Sequence, residues 1–444
     1  MNNRGEFSTR IGFILAAAGS AVGLGNIWGF PTQVASNGGA AFVLVYIILA
    51  FVLAYPVLMA ELIIGRATRA NMVDALGQVT GHKIGRATGV WGFITVSLIL
   101  SFYAIVAGWM ISHCIEALMS FLGQDSLSDW LTSQSQSRNL IFCAIFISLT
   151  ASIVVGGVSD GIEKWSVRLM PTLFVIVGIL ILYVAMQDGA SEGMRAYLLP
   201  DFSKIGNPDL LISAMGQAFF SMSLGVGTML VYGSYVSKKE NLPSLGVSVA
   251  LVDIGVAILA GLLIIPAMYV AMHNGVTIFN ESGVLIEGSN LIFAVLPELF
   301  NTMGDIGSLV GFAFFALMII AALTSSISML EVPVAYVVES KNVARTKAVW
   351  LIAGAILLIS ATLVFNFDWL FGLVVSLTTE YSQPLLGLVL SIYAGWVWKR
   401  NEILQELKNG NEAAEHSFFW RVWPWYIKFV CPVIIVVMFV RSFF

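Results

Sequence analysis

Residues 19–26 read Gly-Ser-Ala-Val-Gly-Leu-Gly-Asn and residues 221–227 read Ser-Met-Ser-Leu-Gly-Val-Gly, each within a long apolar stretch. Each glycine weakens a helix interior by about 1 kcal/mol relative to alanine, so we expect a helix to break at both places. Unwound backbone at membrane depth is tolerated only where it lines a cavity or is buried in protein. Close packing of helices through small residues is the alternative explanation.

The composition indicates whether these two stretches lie in a soluble or in a membrane protein. Of the 444 residues, 58% are hydrophobic and only 11% are charged. Soluble proteins carry roughly 25% charged residues, and disordered chains are polar and highly charged, so both classes are excluded. The net charge of −4 offers no basic surface to nucleic acid. The sequence therefore predicts an integral membrane protein surrounded by the lipid bilayer.

Reactive side chains are too dispersed to indicate catalysis. The three cysteines and four histidines have no spacing typical of a disulfide framework or of a metal centre. A membrane enzyme would also need His, Asp or Glu clustered at one membrane face, and the sequence indicates no such cluster. We expect neither an enzyme nor an organic cofactor.

Eleven apolar stretches approach or exceed the roughly 20 residues of helix that cross a bilayer. They lie at residues 11–31, 41–64, 89–121, 139–156, 166–187, 211–235, 245–272, 307–338, 347–366, 369–398 and 422–443. A shorter apolar segment, Gly288–Phe300, is expected to form a re-entrant or capping helix. Seventeen of the 22 Lys and Arg residues then lie on the side of the N-terminus. This bias predicts a cytoplasmic N-terminus and, with eleven spans, an external C-terminus.

The two glycine-rich interruptions fall in the first and sixth spans, which are matching positions if the chain has two five-span halves. The halves would be residues 11–187 and 211–398, with residues 422–443 as an extra helix. Interrupted spans at matching positions are the best sequence indication of a transporter's binding site. Half-helix N-termini there can bind a carboxylate, and freed carbonyls can bind Na⁺. Hydroxyls of residues 321–326, Ala-Ala-Leu-Thr-Ser-Ser, can add oxygen ligands for a hard cation.

At these residues the sequence resembles the neurotransmitter:sodium symporter family. The matching stretches are Ala17–Trp28, Phe30-Pro31, Asn37–Phe42, Asp160–Lys164, Gln217–Gly225 and Leu323–Ser326. The likeness runs in order through nearly the whole chain. It implies one all-α transmembrane domain over residues 1–444 with the LeuT-type fold of 5+5 inverted repeats, in which helices 1 and 6 are unwound at mid-membrane. The family normally has twelve spans, and the eleven expected here resemble some bacterial members, which implies a bacterial cytoplasmic (inner) membrane.

The resemblance implies two Na⁺ sites. The first would use the Ala21 carbonyl, the Asn26 side chain, Ser221, Asp253 and the substrate's carboxylate. The second would use the carbonyls of Gly19, Val22 and Ala321 and the hydroxyls of Thr324 and Ser325. Hydroxyls in helices also bond to their own helix, and that alternative stays open for Thr324 and Ser325.

Asp253 also bears on the choice of anion. A mid-membrane acid costs at least about 2.5–3.5 kcal/mol on insertion scales, which favours a functional role over a surface-proximal acid with a polar neighbour. Chloride-dependent family members have an amide at this position and a serine one turn later, where this chain has Ala257. The resemblance therefore implies chloride-independent transport.

The residue at position 23 indicates the class of substrate. Monoamine transporters of the family carry an aspartate there, whereas this chain has Gly23 and therefore no carboxylate. A substrate that brings its own carboxylate, an amino acid, fits this position better. The resemblance implies carboxylate contacts with Gly25 and Tyr103 and amine contacts near Ala21, Phe220 and Ser223. It places the other substrate contacts at Ser20, Leu24, Ile99, Ser221, Val226, Ser325 and Met329.

None of these side chains is charged, so a charged substrate would lose its hydration without compensation. We expect a neutral, hydrophobic or aromatic amino acid. Aromatic and Met residues in apolar spans usually face lipid or the core, and that interpretation stays open.

The resemblance also implies gates on both sides. Tyr103, Phe220 and Asp368 match the outer gate, but Gly29 stands where the family has an arginine. We therefore expect a leakier or differently coupled outer gate. The inner gate is implied at Arg4, Ser234, Tyr235 and Glu339. The alternative is that Arg4 and Glu339 are solvated surface charges, where ion pairs contribute little.

Together these features predict a sodium-coupled symporter that imports an amino acid by alternating access, with the monomer sufficient for transport. The substrate would complete the first ion site, so its binding and that of Na⁺ would strengthen each other reciprocally. An amino-acid sensor or a channel-like member of the same fold is the alternative.

Overall fold

The computed structural model describes residues 5–124, 127–278 and 291–441, and in these ranges the regular secondary structure is helical. We number the longer helices in chain order. They are α1 (Arg10–Ala21), α2 (Gly25–Ser36), α3 (Ala40–Thr68), α4 (Met72–Thr80), α5 (Lys83–Phe121), α6 (Gln136–Val155), α7 (Val158–Ala185), α8 (Ala190–Leu198), α9 (Pro208–Ser221), α10 (Thr228–Gly233), α11 (Leu242–His273), α12 (Ile292–Thr302), α13 (Asp305–Lys341), α14 (Arg345–Phe365), α15 (Phe367–Val397), α16 (Arg400–Lys408) and α17 (Phe418–Val440).

In the described part of the chain, nine helices are long and apolar enough to cross a membrane, and the bent pair α1–α2 makes a tenth span. The expected sixth span is present as two shorter pieces, α9 and α10, of 14 and 6 residues. The third and fifth spans begin earlier than predicted, at residues 83 and 158 rather than 89 and 166. These helices continue past their apolar centres into a polar end, which hydropathy alone does not register.

The first expected break lies between α1 and α2, whose axes differ by 56°. Val22 leaves the helix with ψ of 109°, and the following turn is fixed by bonds between residues 23 and 26. The second break lies between α9 and α10. There Ser223, Gly225 and Gly227 have φ of +51°, +84° and +81°. Glycine adopts such left-handed backbone without steric cost, so the motif supplies the conformations that end one helix and begin the next.

Gly225 is also required by a close approach. A Cβ atom at this position would lie 2.4 Å from the carbonyl oxygen of Gln383, on α15. The unwound backbone between α9 and α10 therefore packs directly against α15. This contact places α15 beside the second break.

The expected capping helix is present as α12, and residues 288–290 of the predicted segment lie outside the described residues. Phe293 on α12 packs edge-on against Trp28 of α2 and Trp109 of α5, with ring centroids 6.2 and 5.6 Å apart. This helix therefore packs against α2, which begins at the first break, and against α5.

Candidate functional site

The two breaks enclose a cavity of about 40 Å³. Ten of the twelve expected substrate contacts line it: Ala21, Leu24, Gly25, Ile99, Tyr103, Phe220, Ser223, Val226, Ser325 and Met329. Ser20 and Ser221 do not. The Ser20 hydroxyl donates to the Ser328 hydroxyl at 2.6 Å, and Ser221 belongs to a polar cluster described below.

Three further residues line the same cavity: Gly23, Phe102 and Gln383. Gly23 fits closely, because a Cβ there would lie 2.9 Å from the Tyr103 hydroxyl oxygen and 3.2 Å from the Ser325 side chain. None of the thirteen lining residues is acidic or basic. The cavity therefore suits a ligand whose net charge is zero.

The helix ends give the cavity its polarity. The N-terminus of α2 begins at Gly25, where a helix carries partial positive charge, and it borders the cavity beside Tyr103. The Leu24 backbone N–H donates to the Tyr103 hydroxyl at 3.3 Å. Helices α1 and α9 end at Ala21 and Ser221, where partial negative charge accumulates. One side can accept a carboxylate and the other an ammonium group.

A buried oxygen-rich cluster lies next to this cavity. The Asn26 side chain donates to Asp253 Oδ1 at 2.7 Å and to Ser221 Oγ at 2.8 Å, and Ser221 Oγ donates to Asp253 Oδ2 at 2.8 Å. The hydroxyls of Tyr46 and Ser221 are 3.1 Å apart. The structure thus brings together Asn26, Ser221 and Asp253 from α2, α9 and α11. Carboxylate, hydroxyl and amide oxygens are ligands that hard cations prefer.

The second expected ion site lies where α1 meets α13. A Cβ at Gly19 would be 3.0 Å from the Thr324 Cβ, so the Gly19 backbone packs against the Thr324 side chain. The Thr324 hydroxyl donates to the carbonyls of Ala321 and Ile320, at 3.0 and 3.2 Å, within its own helix. The Ser325 hydroxyl instead reaches across to the Ser20 carbonyl at 3.2 Å. The two hydroxyls therefore differ: one follows the back-bonding pattern and the other links the helices.

Glu61 is a buried acid that the sequence analysis missed. It lies on α3, is fully buried, and its two oxygens accept the backbone N–H groups of Gly225 at 2.7 Å and Leu230 at 3.2 Å. These donors belong to the unwound segment and to the first turn of α10, where helix geometry leaves N–H groups unpaired. An acid inside the apolar run 41–64 was the available signal, by the same reasoning that singled out Asp253.

The outer side contains a second cavity beside Gly29. A cavity of about 430 Å³ is lined by Gly29, Glu380 and Gln383 among others, and Phe220 borders both this cavity and the central one. Asp368, the expected gate acid, is exposed and forms no ion pair with the described residues. The acid that shares a cavity with Gly29 is therefore Glu380, twelve residues further along α15.

On the inner side, the Tyr235 hydroxyl donates to Glu331 at 2.7 Å, and Arg345 pairs with Glu331 at 2.6 Å. Glu331 is fully buried within α13 and was also missed. The expected gate residue Ser234 donates to the Val231 carbonyl of its own turn. The Phe7 backbone N–H donates to the Tyr235 carbonyl at 3.1 Å, which ties the chain before α1 to this group. Arg4 lies outside the described residues.

Glu339 accepts hydrogen bonds from the backbone and side chain of Asn71, at 2.9 and 3.1 Å. Asn71 also donates to Asp74, which lies in the short helix α4 outside the membrane spans. Burial alone would raise the pKa of Asp74, but hydrogen bonds from Ser340 and Asn71 and the charge of Arg86 outweigh it and lower that pKa. Glu339 is thus part of a polar cluster at the inner ends of α4 and α13.

Comparison with known proteins gives a consistent result. The family model described as the sodium:neurotransmitter symporter family matches residues 4–139 and 125–444. The uncharacterized sodium-dependent transporter YhdH of Bacillus subtilis is 32% identical and covers 98% of this chain and 97% of its own length. A sodium-dependent transporter of Haemophilus influenzae is also 32% identical, over 99% of this chain and 98% of its own. The crystal structure of MhsT in complex with L-phenylalanine matches with a TM-score of 0.85 and 34% identity, covering 99% of this chain and 100% of that one. The expected LeuT-type fold is confirmed by this structural match.

Proposed function

The chain belongs to the sodium:neurotransmitter symporter family, and we propose that it imports a neutral, hydrophobic or aromatic amino acid coupled to Na⁺. The observation that carries the proposal is the uncharged cavity between the two breaks, with the buried Asn26–Ser221–Asp253 cluster beside it. A zwitterion fits an uncharged cavity whose helix ends have opposite polarity. A cation fits the adjacent cluster of oxygens.

Two Na⁺ ions are proposed as co-substrates. The first site is assigned to Asn26, Ser221 and Asp253, together with the Ala21 carbonyl and the carboxylate of the substrate. The second is assigned to the carbonyls of Gly19, Val22 and Ala321 and the hydroxyls of Thr324 and Ser325. Because the substrate carboxylate would serve as a ligand of the first ion, each would raise the affinity of the other by the same factor.

Chloride independence is part of the proposal. The Asp253 carboxylate provides a fixed negative charge within the cluster, and the Ala257 side chain one turn later has no hydroxyl to donate to an anion. A cluster that already carries this charge has no need of an anion to balance the cation.

In alternating access, the central cavity would open in turn to the outer and to the inner side of the membrane. In the state described here, Phe220 separates the central cavity from the outer one, and the Tyr235–Glu331–Arg345 group joins the inner ends of α10, α13 and α14. Two five-helix halves, residues 11–187 and 211–398, would move relative to one another around the breaks. We place the N-terminus in the cytoplasm and the C-terminus outside, and we expect one copy of the chain to suffice.

Competition binding tests the substrate class. Purified protein is incubated with radiolabelled L-phenylalanine in NaCl or in choline chloride, and all twenty amino acids are used as competitors. The proposal predicts Na⁺-dependent binding and displacement by neutral apolar amino acids, with little displacement by Lys, Arg, Asp or Glu. Binding that is equal in choline chloride, or displacement led by charged amino acids, would contradict it. A sensor would pass this test without transporting, and only accumulation in vesicles separates the two.

A further inference from the structure

Gln383 is a polar residue of the central cavity that has no role in the mechanism above. It lies on α15, it is only 3% exposed, and it borders both the central and the outer cavity. Its side-chain oxygen is buried and accepts no hydrogen bond within the described parts of the chain. Leaving a buried acceptor unpaired costs about 1–3 kcal/mol, so such an atom on a residue that lines a cavity indicates a donor that arrives with a ligand.

The backbone around Gln383 holds it in place. A π-helical stretch, Ser376–Ser382, ends immediately before it, and single-turn π segments inside helices occur frequently at functional sites. The Trp91 indole donates to the hydroxyl of Ser382 at 3.3 Å, and the Gln383 carbonyl packs against Gly225 in the unwound segment. The side chain is thus fixed relative to the break that forms the cavity.

We propose that Gln383 is a specificity-determining residue, whose side-chain oxygen selects substrates with a hydrogen-bond donor on an otherwise apolar side chain, foremost the indole N–H of tryptophan. This inference rests on the proposed function. The helix ends at Ala21 and Ser221 already provide acceptors for an ammonium group, so the donor for Gln383 comes from the side chain of the substrate.

The surroundings favour an aromatic ring system. Ile99, Phe102, Val226 and Met329 supply apolar walls from α5, the unwound segment and α13. A large, flat, apolar group with a single N–H donor matches one amide oxygen among such walls. The present volume of about 40 Å³ is too small for an indole. Phe220 is 38% exposed at the boundary, and its rotation would join the central cavity to the outer one of about 430 Å³.

The discriminating probe is L-3-benzothienylalanine, in which sulfur replaces the indole N–H while the ring system keeps its shape. A site that hydrogen-bonds a substrate donor rejects an analogue without it, because the buried acceptor is then left unpaired. We expect wild-type protein to bind tryptophan roughly tenfold more tightly than the sulfur analogue, measured as competition against labelled L-phenylalanine in NaCl.

Two variants and one control complete the test. Gln383→Met keeps the length of the side chain without the acceptor and should bring the ratio of the two affinities close to one, mainly by weakening tryptophan. Gln383→Glu keeps an acceptor oxygen and should retain the preference. Gln405→Met, an exposed glutamine on α16, should leave the ratio at its wild-type value.

A wild-type ratio near one would overturn the inference even if no variant folds. A ratio that is unchanged in Gln383→Met would also overturn it, because the preference would then arise elsewhere. In both cases Na⁺-dependent binding of L-phenylalanine would still stand and with it the proposed function. Loss of Na⁺ dependence in the wild-type protein would overturn both.

Discussion

The carboxylate of Glu61 accepts a hydrogen bond of 2.7 Å from the backbone N–H of Gly225, although 164 positions separate the two residues. A fully buried acid in α3 thereby holds the unwound backbone between α9 and α10. Since this backbone forms one wall of the central cavity and packs against α15, the contact connects the stability of the break with the geometry of the site.

Glu61→Gln tests this connection. The amide keeps one acceptor oxygen but turns an NH₂ group toward a backbone donor, and hydrogen bonds to charged groups contribute about 1.5–3 kcal/mol. We expect a lower melting temperature in detergent and at least a roughly tenfold loss of substrate affinity. Glu402→Gln, at an exposed acid on α16, is the matched control. Unchanged affinity and melting temperature in Glu61→Gln would show that the unwound segment holds its shape without the carboxylate.

Substitutions at Asp253 and Ala257 test whether the Asp253 carboxylate makes transport independent of chloride. Replacing chloride by gluconate should leave wild-type uptake unchanged, because Asp253 supplies the negative charge. The double variant Asp253→Asn, Ala257→Ser removes this charge and adds a hydroxyl donor one turn later, so its uptake should require chloride. Asp253→Asn alone should lose most activity in either anion. Chloride-dependent uptake by the wild-type protein would contradict the role of Asp253 as the negative charge that replaces chloride.

Gly29→Arg tests the outer gate. A Cβ at this position meets the Gln217 side chain at 3.5 Å, an ordinary contact, so the larger side chain can enter the outer cavity where Glu380 lies. An ion pair there should favour the outward-closed state and reduce uptake several-fold. Alkylation of a cysteine introduced at Ser213, which lines the same cavity, should slow in parallel.

Glu380→Gln in the Gly29→Arg background should restore both the uptake and the alkylation rate, whereas Asp368→Asn should not. Rescue by Asp368→Asn instead would show that Asp368, the acid expected from the sequence, is the partner of the introduced arginine. Unchanged uptake and alkylation in Gly29→Arg would remove the gating role of this position.

Tyr235→Phe tests the inner gate by removing a single hydroxyl from Glu331. The loss of one charge-assisted bond of 2.7 Å should raise the inward-open population. Hydrogen–deuterium exchange of the amides of α1 should therefore accelerate several-fold. Tyr183→Phe, whose hydroxyl meets Met303 near the other end of the molecule, is the control. Equal exchange in Tyr235→Phe and wild type would mean that Glu331 and Arg345 close this side without the tyrosine.

The positions of both breaks and most of the cavity could be predicted from the sequence. Glycines such as Gly225 mark them directly, because left-handed backbone and close approach leave few other residues suitable. The resemblance to the family then extended the prediction to residues such as Tyr103 and Ile99, which no pattern in their own helix distinguishes from core.

Gln383 and Glu380 could not be predicted in the same way. The helical period of 3.6 residues tells which side chains share a face only while the helix stays regular. In α15 two π-helical stretches, Phe367–Phe371 and Ser376–Ser382, shift that period before Gln383 is reached. A regular helical period counted from Asp368 therefore does not tell which later residues of α15 face the cavities. Glu61 and Glu331 could have been predicted, because each is an acid inside an apolar span.

The most direct test of the account is uptake of labelled L-phenylalanine into proteoliposomes with an inward Na⁺ gradient. Sodium-coupled symport predicts accumulation above the external concentration, at the same rate in chloride and gluconate, and loss of the accumulated substrate when the gradient is dissipated. Equilibration without accumulation would indicate a channel-like protein. Na⁺-dependent binding without any flux would indicate a sensor, and either result would contradict sodium-coupled symport.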